Sequence, residues 1–446
     1  MKSYNNRSKI SQNYATNSLN KDSIIVKNGI WLYFWLLLFE GALRKWVFPG
    51  LATPLLVIRD PIAIYIIFKA LKSNLLPSNG YLVTLWTVSI ICIPFAVFLG
   101  HGNVFVAIYG ARIFLFHFPL IFIIGNVFQI EDVILFGKRI LALIIPTTIL
   151  IATQFYSPQS AFVNRGVGGD EKGAGFGGAL GFSRPPGFFS FTSGNVLYYC
   201  IAICFILYFW LSEQVKINRI LLICYTIAFV IAFPMCISRS LFFQTILSSL
   251  FGLIAISRNS KIFVRLLLTF IIVAILILIL QNTTFFQTSF GAFSSRFESA
   301  NQTEGGVKGV LLDRFLGGLI SALFFSDHPI PYFGYGIGLG TNVGAMLTTG
   351  AAGFIIAEEE WGRLVGEMGF VLGIVIILIR VILGAEMMIA SYKAIGKKNL
   401  LPWLLMSWTF LAILQNQLGQ PTALGFTVIA GGLVMASLNN RDVSRI

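Results

Sequence analysis

The residues best suited to chemistry in this sequence are carboxylates set beside arginines. Glu358, Glu359 and Glu360 run into Trp361, Gly362 and Arg363, and His328 lies in Asp327-His328-Pro329. A carboxylate or an imidazole can take a proton from a hydroxyl, and a neighbouring guanidinium can hold an anion. Glu360, Glu359 and His328 are therefore candidate general bases, with the glutamates ranked first. The plainer alternative for the glutamates is an acidic first helical turn, which the helix dipole favours by itself. Four more arginines stand in distinctive segments. Arg44 lies in Glu40-Gly41-Ala42-Leu43-Arg44-Lys45-Trp46, and Arg59 in Arg59-Asp60-Pro61. Arg184 opens the run Arg184-Pro185-Pro186-Gly187-Phe188-Phe189 that leads to Asn195, and Arg239 lies in Ser238-Arg239-Ser240. A planar, permanently charged guanidinium fits phosphate oxygens bidentately. Arg184, Arg239 and Arg363, with Arg44 and Arg59 behind them, form a candidate phosphate-binding set.

The elements that must position these residues are membrane helices. The chain has 446 residues, of which 56% are hydrophobic and 11% charged, and its mean hydropathy is +0.82. A soluble protein carries about 25% charged residues, so the composition excludes an ordinary soluble domain. Apolar runs separated by polar or Gly/Pro breaks fall at 29–47, 54–71, 81–99, 103–125, 133–156, 191–212, 219–237, 240–257, 262–280, 365–388, 401–416 and 421–438. The expected fold is an all-α polytopic membrane protein of about 12 spans. It divides into a cytoplasmic, disordered tail over 1–29, spans 1–9 over 30–280, a large outer loop over 281–364, spans 10–12 over 365–438, and a cytoplasmic tail over 439–446. A second outer loop, rich in glycine, covers 157–190 between spans 5 and 6.

The net charge of +14 tests that layout. With the amino terminus inside, nineteen Lys and Arg fall in the tails and inner loops, eleven fall outside, and Arg112 and Arg380 lie within spans. The inner majority obeys the positive-inside rule and places both termini in the cytoplasm. The outer eleven are mostly Arg, although orientation does not require them there. Loop carboxylates such as Asp170, Glu171, Glu298 and Asp313 offer the alternative of plain ion pairing. Other classes of function fall away. The glycine-rich stretch 165–181 lacks the GK[ST] of a nucleotide-binding loop. The five cysteines sit in apolar stretches without metal-ligand spacing, so no metal and no cofactor is expected. The basic charge reads as topology, so no nucleic-acid partner is expected. His101 and His117 read as structural.

In their order along the chain these pieces resemble the O-antigen ligase and O-antigen polymerase superfamily of bacterial surface-polysaccharide enzymes. The segment 184–195 looks like that family's Arg-x-x-Gly-x-Phe run ending in Asn, and Ser238-Arg239 looks like its Ser-Arg pair. Gly334-Tyr335-Gly336-Ile337-Gly338-Leu339-Gly340 resembles its Gly-x-Gly-x-Gly loop, and Gly366-Glu367-Met368-Gly369 resembles the Glu-Leu-Gly entry to the following span. The resemblance covers roughly residues 30–390. It implies a multi-pass protein of the bacterial inner membrane that transfers glycans from undecaprenyl pyrophosphate at the outer face, as polymerase or as ligase to a lipid A-core. The implied partners are the lipid-linked glycan, the bilayer and other polysaccharide assembly proteins. The arginine set would then hold the pyrophosphate. Many ligases of the family carry a His-Asn before the Glu-Leu-Gly entry; here Glu360-Trp361 occupies that place, which turns the expectation towards a glutamate base. The rival from another class is a transporter or flippase for lipid-linked sugars. That rival needs charge along a midplane path, where the sequence offers only Arg112, His117 and Arg380.

Overall fold

The structure is a computed structural model that describes residues 2–212, 215, 217–256, 261–303, 330–350, 353 and 355–439. It is almost entirely helical. Helix α1 spans Lys2–Ala42, α2 Arg59–Lys72, α3 Gly80–Phe98, α4 Val104–Arg112, α5 Leu120–Val127 and α6 Ile130–Tyr156. After a short hairpin, α7 spans Thr192–Leu211, α8 Arg219–Met235, α9 Arg239–Ile256, α10 Lys261–Leu280 and α11 Thr284–Thr303. Helix α12 spans Asn342–Thr349, α13 Glu360–Ile395, α14 Leu401–Gln415 and α15 Pro421–Leu438. Among the described residues, nine helical segments are long and apolar enough to cross a membrane. Three shorter apolar helices, over 219–235, 239–255 and 401–415, accompany them.

The packing is that of a protein whose outer solvent is hydrocarbon. Segment Thr192–Leu211 is 89% buried and lies at the centre, against α6, α8, α9, α14 and α15. The most apolar segment, Ile262–Leu280, is only 17% buried. In water that order would be inverted; against lipid tails an outward leucine or isoleucine costs nothing.

Two sequence expectations meet a different local structure. The polar stretch 1–29, read as a disordered tail, continues the first span as one helix from Lys2. It contains no proline and no glycine before Gly29. Helix propagation from a formed span therefore meets no breaker there, and each added residue needs no new nucleus. Its last two turns are tied by Lys27 to Asp132 at 2.5 Å and by Asp22 to Lys69 at 2.7 Å. The glycine-rich segment 157–190, expected as a loop, contains a hairpin, β1 Phe176–Ala179 against β2 Phe182–Arg184. Leu180 and Gly181 at its turn both have positive φ, the backbone that matches the twist of a two-residue hairpin.

Backbone irregularities stand next to several of the charged residues. Residues Leu43–Val47 and Ile113–His117 form π-turns, which in helices often mark sites where a side chain is re-aimed for function. These two carry Arg44, Lys45 and His117. Gly369 breaks α13 with φ 76°, and a Cβ there would lie 2.0 Å from the Tyr332 carbonyl oxygen.

Candidate functional site

The first element of the site is one face of α1. Tyr33, Leu37, Glu40 and Arg44 lie along it at helical spacing. Glu40 accepts from Arg44 at 3.3 Å and from Arg59 Nε at 3.2 Å. Arg59 also donates to the Tyr33 hydroxyl at 3.3 Å and to the Pro421 carbonyl at 2.7 Å. Arg59 and Asp60 are neighbours at the start of α2 and point to different partners. Asp60 takes Arg112 Nη1 at 2.5 Å and His117 Nε2 at 2.9 Å. His117 Nδ1 meets the Tyr33 hydroxyl at 2.8 Å, which closes a ring. Because Arg59 donates to the Tyr33 oxygen, the Tyr33 proton goes to His117 Nδ1. With its hydrogen on Nε2, the imidazole accepts from Tyr33 and donates to Asp60.

A second charged group is built on the first turns of α13. Glu360 is 2% exposed and accepts four hydrogen bonds. Arg363 reaches it through Nε and Nη2, both at 2.9 Å, Arg380 through Nη1 at 2.5 Å, and the Leu418 N–H at 3.1 Å. Arg363 also donates to Glu367 at 2.6 Å, and the second Glu367 oxygen accepts the Gly340 N–H at 2.9 Å. Arg380, fully buried, spends its remaining donors on the Ile413 and Asn416 carbonyls. Two carboxylates and two guanidinium groups cancel, as burial in a membrane bundle demands. The turn between α14 and α15 ties this group to the first one. It gives Asn416 O to Arg380, Leu418 N to Glu360 and Pro421 O to Arg59.

The glycine motif after residue 333 explains itself by close approach. Gly336 N–H and Tyr335 N–H bond to the Glu367 and Gly366 carbonyls. Gly338 lies on α4 with φ 94°, where a Cβ would stand 2.1 Å from the Val106 oxygen. Gly338→Ala is expected to cost about 2 kcal/mol or more, since both backbone strain and a backbone clash act at once. Thermal melting of the purified variant measures it, and an unchanged Tm would remove the packing role.

Arg184 and Arg239 belong to a third neighbourhood. Asn195 Nδ2 donates to the Pro185 carbonyl at 3.4 Å and contacts Cys236 Sγ at 3.6 Å. That side chain joins the residue after Arg184 to the turn that leads into Arg239. The segment between also touches the first group. Lys45 Nζ donates to the Gly187 carbonyl at 2.7 Å, and Arg44 Nη1 to Ser190 Oγ at 3.1 Å. A Cβ on Gly41 would lie 2.3 Å from the Ser190 nitrogen, so α1 and the 187–190 turn are in direct backbone contact.

The structure thus places Arg44, Arg59, Arg184, Arg239 and Arg363 at one end of the bundle. Arg44, Arg59 and Arg363 are joined through Glu40 and the 416–421 turn, and Asn195 joins Pro185, next to Arg184, to Cys236, three residues before Arg239. Glu360 lies within this end, but both its oxygens are occupied. Glu359 caps α13 and is half-buried; among the described residues its carboxylate makes no hydrogen bond or ion pair. The residue before it, Glu358, lines a small open cleft with Gly340, Arg363, Gln417 and Gln420. His328 lies outside the described residues. Arg112, Asp60, Arg380 and Glu367 were absent from the sequence-derived set although they hold it in place. Their one signal in the sequence is a charge inside or at the edge of an apolar run. Among the described residues no group of three or more His, Cys, Asp or Glu is placed to hold a metal ion. Compared with family models, with curated proteins and with solved structures, the chain finds no match.

Proposed function

We propose that this protein is a membrane glycosyltransferase, working at the outer face of a bacterial inner membrane on glycans carried by undecaprenyl pyrophosphate. It extends or ligates them to the hydroxyl of an acceptor sugar. In this reading the nine long and three shorter apolar helices give twelve spans, and both termini are cytoplasmic. The observation that carries the reading is the meeting of the Arg44, Arg184 and Arg239 segments at a single end of the bundle, with Arg59 and Arg363 committed to the carboxylates beside them. A polyanionic group on a lipid carrier is the ligand that such an arrangement suits.

The acceptor oxygen forms a bond to the anomeric carbon. The bond from that carbon to the phosphate oxygen breaks, and its electron pair leaves with the pyrophosphate. Arg184 and Arg239 neutralise the charge that grows on the leaving group, and Arg44 stands next to them through Ser190. The acceptor proton passes to a carboxylate. Glu360 was the first candidate, but four donors saturate it, so Glu359, between Glu360 and the cleft residue Glu358, takes the role. Glu360 instead holds Arg363 and Arg380 in place.

Glu359→Gln is expected to lower transfer about 100-fold or more, the usual weight of a general base, with binding of the lipid-linked donor unchanged. The measurement is glycan extension in proteoliposomes supplied with purified lipid-linked oligosaccharide. Full activity in that variant would move the base to His328. Polymerase and ligase separate in a deletion strain: loss of a polymerase leaves single units attached, whereas loss of a ligase accumulates lipid-linked polymer. A transport function finds less support, because Arg112 and His117 close on Asp60, and Arg380 on Glu360, rather than lining a path.

A further inference from the structure

Aromatic rings from three helices form a continuous ridge beside Arg239, and the transfer chemistry does not use them. On α11, Phe290, Phe293 and Phe297 recur at helical spacing with centroids 6.1 and 5.3 Å apart. Phe242, in the first turn of α9 after Arg239, lies 5.1 Å from Phe297 and 6.1 Å from Phe293. Phe233 of α8 adds a ring 5.5 Å from Phe293. The other end of the ridge reaches the Arg184 hairpin. The Tyr156 hydroxyl donates to the Phe285 carbonyl at 2.7 Å, and its ring lies 6.0 Å from Phe182, two residues before Arg184.

The ridge is not a closed core. Phe290 is 49% exposed, and Phe242 and Phe297 are half-buried. Helix α11 follows the outward-facing α10 directly and packs on α8 and β1, at the same end of the bundle as the arginines. An apolar track beside two neighbouring arginine segments calls for a ligand that is hydrocarbon along its length and anionic at its head. Flat rings supply large contact area with little demand for exact shape, which suits a flexible chain.

We propose that this ridge seats the isoprenoid chain of the lipid carrier, with its pyrophosphate at Arg239 and Arg184. The proposal rests on the functional reading above. It makes α11 a lipid-substrate rail at the membrane surface, and it makes chain length a determinant of binding. A carrier with a short isoprenoid engages the arginines but not the ridge.

The test compares undecaprenyl diphosphate with geranyl diphosphate, binding to the full chain in nanodiscs. Phe290→Ala removes an exposed ring, so the fold is preserved, and a Phe242→Ala/Phe297→Ala variant removes the centre of the ridge. Undecaprenyl diphosphate affinity is expected to fall about fivefold to tenfold in each, as lost ring contact predicts, while geranyl diphosphate affinity stays the same. Unchanged undecaprenyl diphosphate affinity in Phe290→Ala, or an equal fall for both ligands, would overturn the ridge and leave the functional reading standing. A wild-type protein that binds neither diphosphate would overturn the functional reading itself, and the ridge with it.

Discussion

Glu360→Ala is expected to cost the protein about 3–5 kcal/mol of stability, enough to remove most of it from the membrane fraction. The reason is the burial of its partners. Arg380 is fully buried and Arg363 is 3% exposed, and the Glu360 carboxylate takes three of their hydrogen bonds. Removing it leaves guanidinium charge in a low-dielectric interior with only Glu367 and carbonyl oxygens to answer it. Breaking one partner of a buried pair is costly in this way, whereas replacing the whole pair by apolar groups need not be. The paired variant Glu360→Leu/Arg380→Met should therefore recover a large part of the loss, and the two changes should be strongly non-additive. Fluorescence-detected size exclusion and thermal melting of the three variants measure this. A Glu360→Ala protein that melts with the wild type would show that the network contributes nothing. The same experiment separates framework from chemistry, because a stable paired variant with intact transfer excludes Glu360 from catalysis.

Arg239→Ala and Arg184→Ala are each expected to lower transfer by about 100-fold or more, with membrane abundance unchanged. Loss of one preorganised group that stabilises transition-state charge has that weight. Both side chains are partly exposed, so stability should change little, in contrast to Glu360. In cells the readout is the disappearance of long-chain polysaccharide; in proteoliposomes it is the rate of glycan extension. Normal long-chain polysaccharide from either variant would sink the leaving-group role. Arg239→Lys should recover only part of the rate, since an ammonium cannot pair bidentately with phosphate oxygens.

Much of this was legible in the chain itself. The spans followed from runs of apolar residues, because a bilayer rewards hydrophobicity summed along consecutive positions. Each apolar run coincides with described helix, although helix also covers 2–28, 284–303 and 342–349, and the first helix breaks between 47 and 59, around Pro49 and Pro54. The arginine segments were also legible, since each puts a permanent charge next to an apolar stretch. The helical reading of residues 2–29 and the 176–184 hairpin were not. The first depends on continuation from a formed span, and the second on a turn whose Leu180 carries a positive φ that its residue type does not announce.

The sequence by itself determined the membrane class, most of the apolar helices, and the charges left beside them. Only the tertiary structure decided which of those charges are committed. Glu360 looked like a base among three adjacent glutamates, yet Arg380, twenty residues further along α13, and the 416–421 turn consume it. Arg59 looked like a phosphate ligand, yet it is spent on Glu40, Tyr33 and Pro421. Hydropathy is additive along the chain and can be read locally. The pairing of a buried charge is a property of three or four helices at once, and it exists only after they have packed.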